Sequence, residues 1–176
     1  MSSSPKPQRA IGFVETLAVA SGRCHFSVYR NVAIGVWLAQ ADREAAETAL
    51  GVSQEMAKRF DGLHSSVAFL VDGIPGPLPE AMPALTKLWA RRPDLACTGV
   101  IIEGGGFWAS GLRSMINNTR REGGGEVPVK IGNSIADVVD WLSTQNARLT
   151  GVIIEPSELA HALSHARKIA ELSRTP

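Results

Sequence analysis

Two nearly continuous apolar runs constrain the fold of this chain more than any other feature of its sequence. Residues 67–71 (VAFLV) and 97–103 (CTGVIIE) lack the polar–apolar alternation of a strand with one solvent-exposed face. Each run is followed by a loop rich in glycine or proline, and then by a segment, 79–91 or 107–121, whose apolar residues recur at helical spacing. Strands that are covered on both faces and alternate with helices are typical of parallel sheets in α/β proteins.

The remaining segments extend this alternation in both directions. Residues 25–29 and 32–38 are rich in β-branched and aromatic residues, and the polar pair Arg30-Asn31 between them suits a tight hairpin turn. Further along the chain, the sequence predicts a helix at 41–61, a strand at 127–131, a helix at 134–144 with Ser134 as its N-cap, and a final helix at 157–173. The fold class is therefore α/β, with a mixed four- or five-stranded sheet covered by helices.

The chain length is that of one domain. Its 176 residues fall within the usual range of roughly 100–200 for a domain. The opening residues (MSSSPKPQR) predict a mobile N-terminal tail over residues 1–20, so that residues 21–176 form a single domain with an extra C-terminal helix. The hexapeptide TGVIIE occurs at both 98–103 and 150–155. Because the flanks differ, we interpret the second copy as a coincidence, with an edge strand as its expected structure if it is regular at all.

Charge and hydropathy exclude several classes of partner. Eighteen Lys and Arg residues against seventeen Asp and Glu give a net charge of +1, so no overall field attracts nucleic acid or an anionic membrane. No run approaches the roughly 18 apolar residues that span a bilayer. Glu15 and Thr16 interrupt the apolar stretch near the N-terminus, which argues against a signal peptide. We therefore expect a cytoplasmic protein in which Cys24 and Cys97 are reduced.

Patterns for catalysis and metal binding are sparse. Of the four histidines, His161 and His165 stand at i and i+4 on one predicted helix, but no carboxylate or cysteine completes a zinc motif around them. No serine lies in a nucleophile elbow, and neither cysteine has the surroundings of a low-pKa thiol. We therefore predict no catalytic residue, no metal and no cofactor, and we favour a non-enzyme while leaving activity open.

The segment from Glu103 to Arg113 is the most informative candidate site. A predicted buried strand ends at Glu103, three glycines follow, and a helix then begins. Backbone N–H groups in such a geometry favour an anion, but the pattern is neither a P-loop nor a dinucleotide motif, and Glu103 would repel a phosphate. Two interpretations stay open, a flexible connection or a ligand or partner site. The candidate residues of that site are Asp72, Glu103, Gly104, Gly105, Gly106, Phe107, Ser110 and Arg113.

Phe107 and Trp108 sharpen the choice between these interpretations. Adjacent residues on a helix point about 100° apart, so the two rings cannot both face the core. Trp108 continues the apolar stripe of its helix. Phe107 is then either exposed, as an interface requires, or packed against the proline-rich loop at 72–79. We favour packing.

The predicted order of elements resembles the STAS domain, the fold of anti-sigma-factor antagonists and related bacterial regulatory proteins. The resemblance covers roughly residues 24–144, and the stretches LAC at 95–97 and EGGGFWAS at 103–110 resemble uncharacterised STAS-like bacterial proteins. It implies a regulatory role. The loop at 71–77 keeps Asp72 but lacks the serine or threonine that the antagonists phosphorylate, so their phospho-switch does not carry over. A roadblock-like fold is the other compact α/β option, although its antiparallel central sheet fits the apolar runs less well.

Two classes of function remain in view. The first is a non-catalytic regulatory or scaffolding module that binds an unidentified protein through the loops at 72–79 and 103–113. The alternative is a small-molecule binder or small enzyme that uses a pocket between the same two loops. In that case Asp72, Glu103, Ser110 and Arg113 are the candidate contacts.

Trp37 is the candidate residue for self-association. In an alternating strand, Trp37 shares its face with the small residues Ala33 and Gly35, while the larger aliphatic side chains face the other way. This arrangement leaves room beside the indole ring. We therefore predict that this face is covered either by a second copy of the chain, in a homodimer, or by residues 11–19.

Overall fold

A six-stranded sheet forms the centre of the molecule. The computed structural model describes residues 13–60, 63–90, 92–122 and 126–174. The strands are β1 (Glu15–Ala20), β2 (Cys24–Tyr29), β3 (Val32–Trp37), β4 (His64–Leu70), β5 (Leu95–Ile102) and β6 (Val129–Gly132). The helices are α1 (Arg43–Arg59), α2 (Met82–Trp89), α3 (Gly106–Glu122), α4 (Ile135–Thr150) and α5 (Pro156–Leu172), and a short 3₁₀ helix, Pro79–Ala81, precedes α2.

The strands lie in the sheet in the same order as in the chain. β1, β2 and β3 are antiparallel neighbours, whereas β3, β4, β5 and β6 run parallel to one another. Because crossovers between parallel strands share one hand, three crossovers in the same direction place α1, α2 and α3 on one face of the sheet. Helices α4 and α5 cover the opposite face. The predicted α/β fold with a mixed, helix-covered sheet is confirmed.

The two faces of the sheet are packed differently. Under α4 and α5, large side chains fill the space: Ile34, Phe69 and Ile101 of the sheet are buried against Leu142 of α4 and Leu163 of α5. On the opposite face, α1 presents mainly alanines to the sheet. Small side chains on a helix leave volume next to the sheet unless another element fills it.

The sheet has six strands rather than four or five, because β1 lies within the segment predicted as a tail. Residues 15–20 pair antiparallel with β2, with an irregularity between Thr16 and Ala18. Arg59 of α1 reinforces the pairing by donating from Nη2 to Oε2 of Glu15 at 2.6 Å. The described domain thus begins before residue 21, since the unpaired edge of β2 offers backbone groups that these residues satisfy. The rest of the predicted tail, residues 1–12, lies outside the described residues.

The second TGVIIE copy is not a strand. Thr150 is the last residue of α4, and Gly151 follows it with a φ of 75° and an N–H that donates to the carbonyl of Ala147 at 3.0 Å. Helix α5 then begins at Pro156. The first copy lies mostly in β5. The same six residues therefore take two structures, because one copy begins with the last residue and the C-cap of α4, whereas the other pairs with neighbouring strands of the sheet.

Local turn and capping signals act where the sequence predicts them. Arg30 has a φ of 52° in the tight turn between β2 and β3. Ser134 caps α4 by accepting from the N–H of Asp137, whose carboxylate accepts from the N–H of Ser134 in return. Among the helices that the structure describes, none combines the length and hydropathy needed to cross a bilayer.

Candidate functional site

Asp72 and Gly104 meet at the carboxyl edge of the parallel strands. Because β4 and β5 are parallel neighbours, the loops that follow them leave the sheet side by side. Gly104 has a φ of 84°, and a Cβ at this position would collide with the carboxylate of Asp72. Both the backbone conformation and the close approach require glycine. Two of the predicted site residues are therefore in contact.

Glu103 is held in an ion pair with a residue that the sequence did not single out. Arg167 of α5 donates from Nε to Oε1 of Glu103 at 2.7 Å and from Nη2 to Oε2 at 2.8 Å. Both side chains are partly buried, and the hydrogen bond to Glu103 is the main cause that raises the pKa of Arg167. The two residues are 64 positions apart, so no local spacing indicates the pair.

The remaining predicted residues are engaged around the start of α3. Ser110 Oγ donates to the carbonyl of Gly106 at 3.1 Å within the helix, and Arg113 donates to Oδ1 of Asn133 in the loop after β6. Gly105 and Gly106 are exposed, and a side chain at Gly105 would meet no atom within 4 Å. None of these four residues lines the pocket described below.

Phe107 is exposed, so the packing that we favoured for it is wrong. Its exposed fraction is 95%. Trp108 takes the inward position instead, where its indole N–H donates to the carbonyl of Ile74. The contact between α3 and the proline-rich loop is therefore made by Trp108, and the neighbouring ring is left pointing away from the core.

Trp37 is buried within its own chain. Only 8% of it is exposed, and its ring packs edge-on against Phe26, with ring centroids 5.8 Å apart. Alanines of α1, among them Ala45 and Ala49, complete its surroundings. The self-association surface predicted at Trp37 is therefore absent from the structure. The N-terminal segment pairs with the edge of β2 rather than lying over this face.

An apolar pocket of about 180 Å³ lies between the sheet and helices α1, α2 and α3. Its floor is formed by the side chains of β3, β4 and β5 that face these helices. On β4, Ser66, Ala68 and Leu70 stay partly exposed, whereas Val67 and Phe69, which face the other way, are buried. The helices thus leave part of an interior strand uncovered. The walls include Trp37, Val52, Leu85, Leu88 and Met115.

The loop after β4 forms another side of the pocket. Ile74 and Pro75 line it. The loop is anchored to the β3–α1 connection, because Gln40 Nε2 donates to the carbonyl of Gly76 at 2.7 Å. Of the two loops predicted to border a pocket, the loop at 72–79 therefore lines this one. The segment 103–113 contributes Leu112, which lies on α3.

An ion pair stands at the end of the pocket where β4 and β5 begin. Arg92 donates to both carboxylate oxygens of Asp94, with Nε to Oδ1 at 3.1 Å, and also to Oγ of Ser53 on α1. Burial acts to raise the pKa of Asp94, but the hydrogen bonds and charge of Arg92 outweigh it, and the pKa is lowered. Both groups are therefore ionised, and their charges neutralise each other.

His64 is buried beside this ion pair. Its backbone N–H donates to the carbonyl of Asp94 at 3.0 Å, and its Nδ1 has no hydrogen-bond partner among the described residues, with Asp94 Oδ2 at 4.0 Å. Burial, reinforced by the charge of Arg92, lowers the pKa of His64 to about 4. Two positions along β4, Ser66 Oγ shares a hydrogen bond of 2.9 Å with Thr98 Oγ1 on β5. Beside the ion pair, His64 and Ser66 thus present uncharged hydrogen-bonding groups to the pocket.

The other buried titratable groups lie away from this pocket. Burial raises the pKa of Cys24 to about 12 and also raises the pKa of Cys97, so both thiols are protonated. Burial lowers the pKa of His25, whose Nε2 shares a hydrogen bond of 3.3 Å with Thr16 Oγ1. In the part of the chain that the structure describes, no three His, Cys, Asp or Glu side chains are grouped so that they could hold a metal ion.

One sequence signal does point to the pocket. Ala33 and Gly35 share the face of β3 that carries Trp37, and their small size predicts room there for a second copy of the chain or an N-terminal cover. In the structure both residues line the pocket. The prediction of free space beside Ala33 and Gly35 agrees with this pocket. The space is bordered by helices of the same chain rather than by a second copy or an N-terminal cover.

No protein-family model and no curated protein matches this chain. The fold defines an α/β protein with helices on both faces of a mixed sheet.

Proposed function

We propose that this chain is a non-catalytic binding protein that holds a small apolar molecule in the pocket between its sheet and α1, α2 and α3. The observation that carries the proposal is the partial exposure of Ser66, Ala68 and Leu70 on an interior strand of a six-stranded sheet. Protein interiors are normally filled to the density of organic crystals. The apolar lining with a few polar groups is typical of a ligand site, and the volume of about 180 Å³ suits a small molecule.

The groups around the pocket support binding rather than turnover. A general base works best with a pKa near the working pH, and the pKa of His64, about 4, makes its imidazole a weak base. Arg92 and Asp94 are occupied by each other. Ser66 shares its hydrogen bond with Thr98 rather than with a base that could activate it.

A cavity-filling substitution tests this proposal. Small aromatic probes such as p-xylene and 4-methylphenol are expected to raise the Tm of the wild-type protein, because they bind the folded state alone. Ala68→Leu adds three carbon atoms to the pocket floor and should abolish this shift. Ala136→Leu, on the exposed side of α4, is the matched control and should keep it. The proposal fails if the wild type responds to no apolar probe, or if Ala68→Leu responds equally.

A regulatory or scaffolding module that binds another protein is the second candidate, as the resemblance to the STAS domain implies. Its support is Phe107, which stands almost fully exposed on the first turn of α3 beside Gly105 and Gly106. A large aromatic side chain in such a position is the kind of anchor that interfaces use. The two candidates are compatible, because Trp108 connects this turn to the loop that lines the pocket.

Site-specific photo-crosslinking tests the second candidate. A photoreactive residue at position 107 should capture one defined protein in cells. The same residue at position 13 should not, although Phe13 is 92% exposed and thus equally accessible. Capture from both positions, or from neither, would argue against a partner at α3.

We propose that the protein is cytoplasmic. Its two free, buried thiols, Cys24 and Cys97, suit a reducing compartment. A homodimer stays a prediction, and its interface would have to use a surface other than Trp37, since that ring is enclosed by its own chain.

A further inference from the structure

We infer that the ligand of this pocket is a neutral molecule of one or two small rings that carries a single hydrogen-bonding group, which meets Ser66. This inference rests on the proposed function and adds to it the charge, the polar contact and the size of the ligand. Each of the three follows from a separate feature of the pocket.

The charge of the ligand follows from the ionisable groups that line the pocket. Among the described lining residues these are Arg92 and His64. Arg92 is neutralised by Asp94 and also donates to Ser53, and His64 is uncharged at neutral pH because it is buried. A carboxylate or an ammonium group would lose its hydration here without meeting a free counter-charge, which strongly disfavours charged ligands.

The polar contact follows from the pair of hydroxyls on the pocket floor. Thr98 is buried, whereas Ser66 is partly exposed, so Ser66 is the member that a ligand can reach. One proton lies in the 2.9 Å hydrogen bond between the two oxygens. The other proton and the remaining lone pairs stay available, so that Ser66 can donate or accept one further bond. A hydroxyl, a carbonyl or an N–H group on the ligand would satisfy it.

The size of the ligand follows from the volume of about 180 Å³. An apolar cavity of roughly 150 Å³ accommodates benzene, so this pocket has room for a substituted benzene or a fused pair of small rings. Trp37 and Met115 are among the walls, and aromatic and thioether side chains make favourable contacts with aromatic rings. An alkylphenol or an indole has the required size and polarity.

Three probes of nearly the same shape separate these features when they are titrated into the full chain at pH 7. 4-Methylphenol is neutral with one hydroxyl, 4-methylbenzoate is anionic, and p-xylene has no polar group. Ligand-observed NMR reports binding. We expect 4-methylphenol to bind about 10-fold or more tightly than 4-methylbenzoate, because the anion finds no counter-charge.

A variant of the pocket floor tests the polar contact. Ser66→Ala should weaken the binding of 4-methylphenol by about 5-fold, which is the effect of one neutral hydrogen bond, and should leave the binding of p-xylene unchanged. Retained binding of p-xylene also shows that the variant is folded. Ser114→Ala, on the exposed side of α3, is the matched control and should change neither affinity.

The outcomes separate the inference from the function on which it rests. Equal or tighter binding of 4-methylbenzoate, lost in Ala68→Leu, overturns the inferred neutrality and leaves a ligand-binding pocket. An equal loss of 4-methylphenol and p-xylene in Ser66→Ala overturns the polar contact, since only packing would then be affected. Binding of none of the three probes overturns the proposed function, and the inference with it.

Discussion

Arg167 joins the last helix to the end of strand β5 through two hydrogen bonds to Glu103, at 2.7 and 2.8 Å. Nη1 of the same guanidinium forms an ion pair with Oε1 of Glu171, at 2.8 Å, one helical turn further along α5. Helix α5 follows every strand in the chain, yet it is tied to the sheet edge where Asp72 and Gly104 meet. Glu103 thus stabilises the packing of α5 against the end of β5, at the position where the sequence predicted a ligand contact.

Removing the charge of Glu103 should destabilise the protein. For Glu103→Gln we expect the free energy of unfolding to fall by about 1–2 kcal/mol, because a partly buried guanidinium loses its charged partner. Glu171→Gln serves as the control, since the Glu171 side chain is 60% exposed, and its effect should stay below about 0.5 kcal/mol. Urea denaturation at pH 7 measures both. Equal losses would show that the geometry at Glu103 adds nothing.

His64 should make the stability depend on pH. Its folded-state pKa, about 4, lies below the ordinary value of 6.5, so between these values the unfolded chain binds more protons than the folded one. Stability is therefore fully present above pH 6.5 and is lost as the pH falls toward 4. From pH 7 to pH 5 we expect this residue to cost about 2 kcal/mol. His25, whose pKa is also lowered by burial, acts in the same direction.

Two single-histidine variants isolate the contribution of His64 to this pH dependence. His64→Gln should flatten the pH dependence of the free energy of unfolding between pH 7 and pH 5, even if it lowers stability at pH 7. His161→Gln, at an exposed position on α5, should leave the slope unchanged. An unchanged slope in His64→Gln would mean that folding does not lower the pKa of this imidazole.

The close approach of β5 to α4 predicts a steric effect. A Cβ at Gly99 would lie 2.6 Å from Cγ1 of Val138, so Gly99→Ala should cost about 1–3 kcal/mol of stability. Adding Val138→Ala removes the opposing methyl groups, and the double variant should lose less than the sum of the single losses. Gly111→Ala, on α3 where a Cβ meets nothing within 4 Å, should stabilise by about 0.5–1 kcal/mol. Strictly additive losses in the double variant would refute the contact.

Both cysteines should resist alkylation in the folded protein. With a pKa of about 12, roughly 10⁻⁴ of Cys24 is thiolate at pH 8, and Cys97 is likewise buried with a raised pKa. Iodoacetamide at pH 8 should modify neither residue of the folded chain within an hour and both in denaturing urea, as read by mass spectrometry. Modification of the folded protein at the rate of a free cysteine would contradict this burial.

Local patterns in the sequence determined most of the elements. The runs at 67–71 and 97–103 correspond to β4 and β5, the Arg30-Asn31 turn joins β2 to β3, and Ser134 caps α4. Side-chain periodicity, turn conformation and capping act over a few neighbouring residues, so a single sequence carries them. Strand β1 escaped prediction because its pairing depends on the exposed edge of β2 rather than on a pattern of its own.

Only the tertiary structure decided the site. The partner of Glu103 lies 64 residues away, and Phe107 is exposed because Trp108 takes the contact with the loop after β4. The small residues Ala33 and Gly35 indicated that volume is missing beside β3, but the sequence did not show what encloses it. Periodicity is a property of one element, whereas a pocket depends on how closely three helices and a sheet approach one another. Its shape exists only once side chains from all of them are packed together.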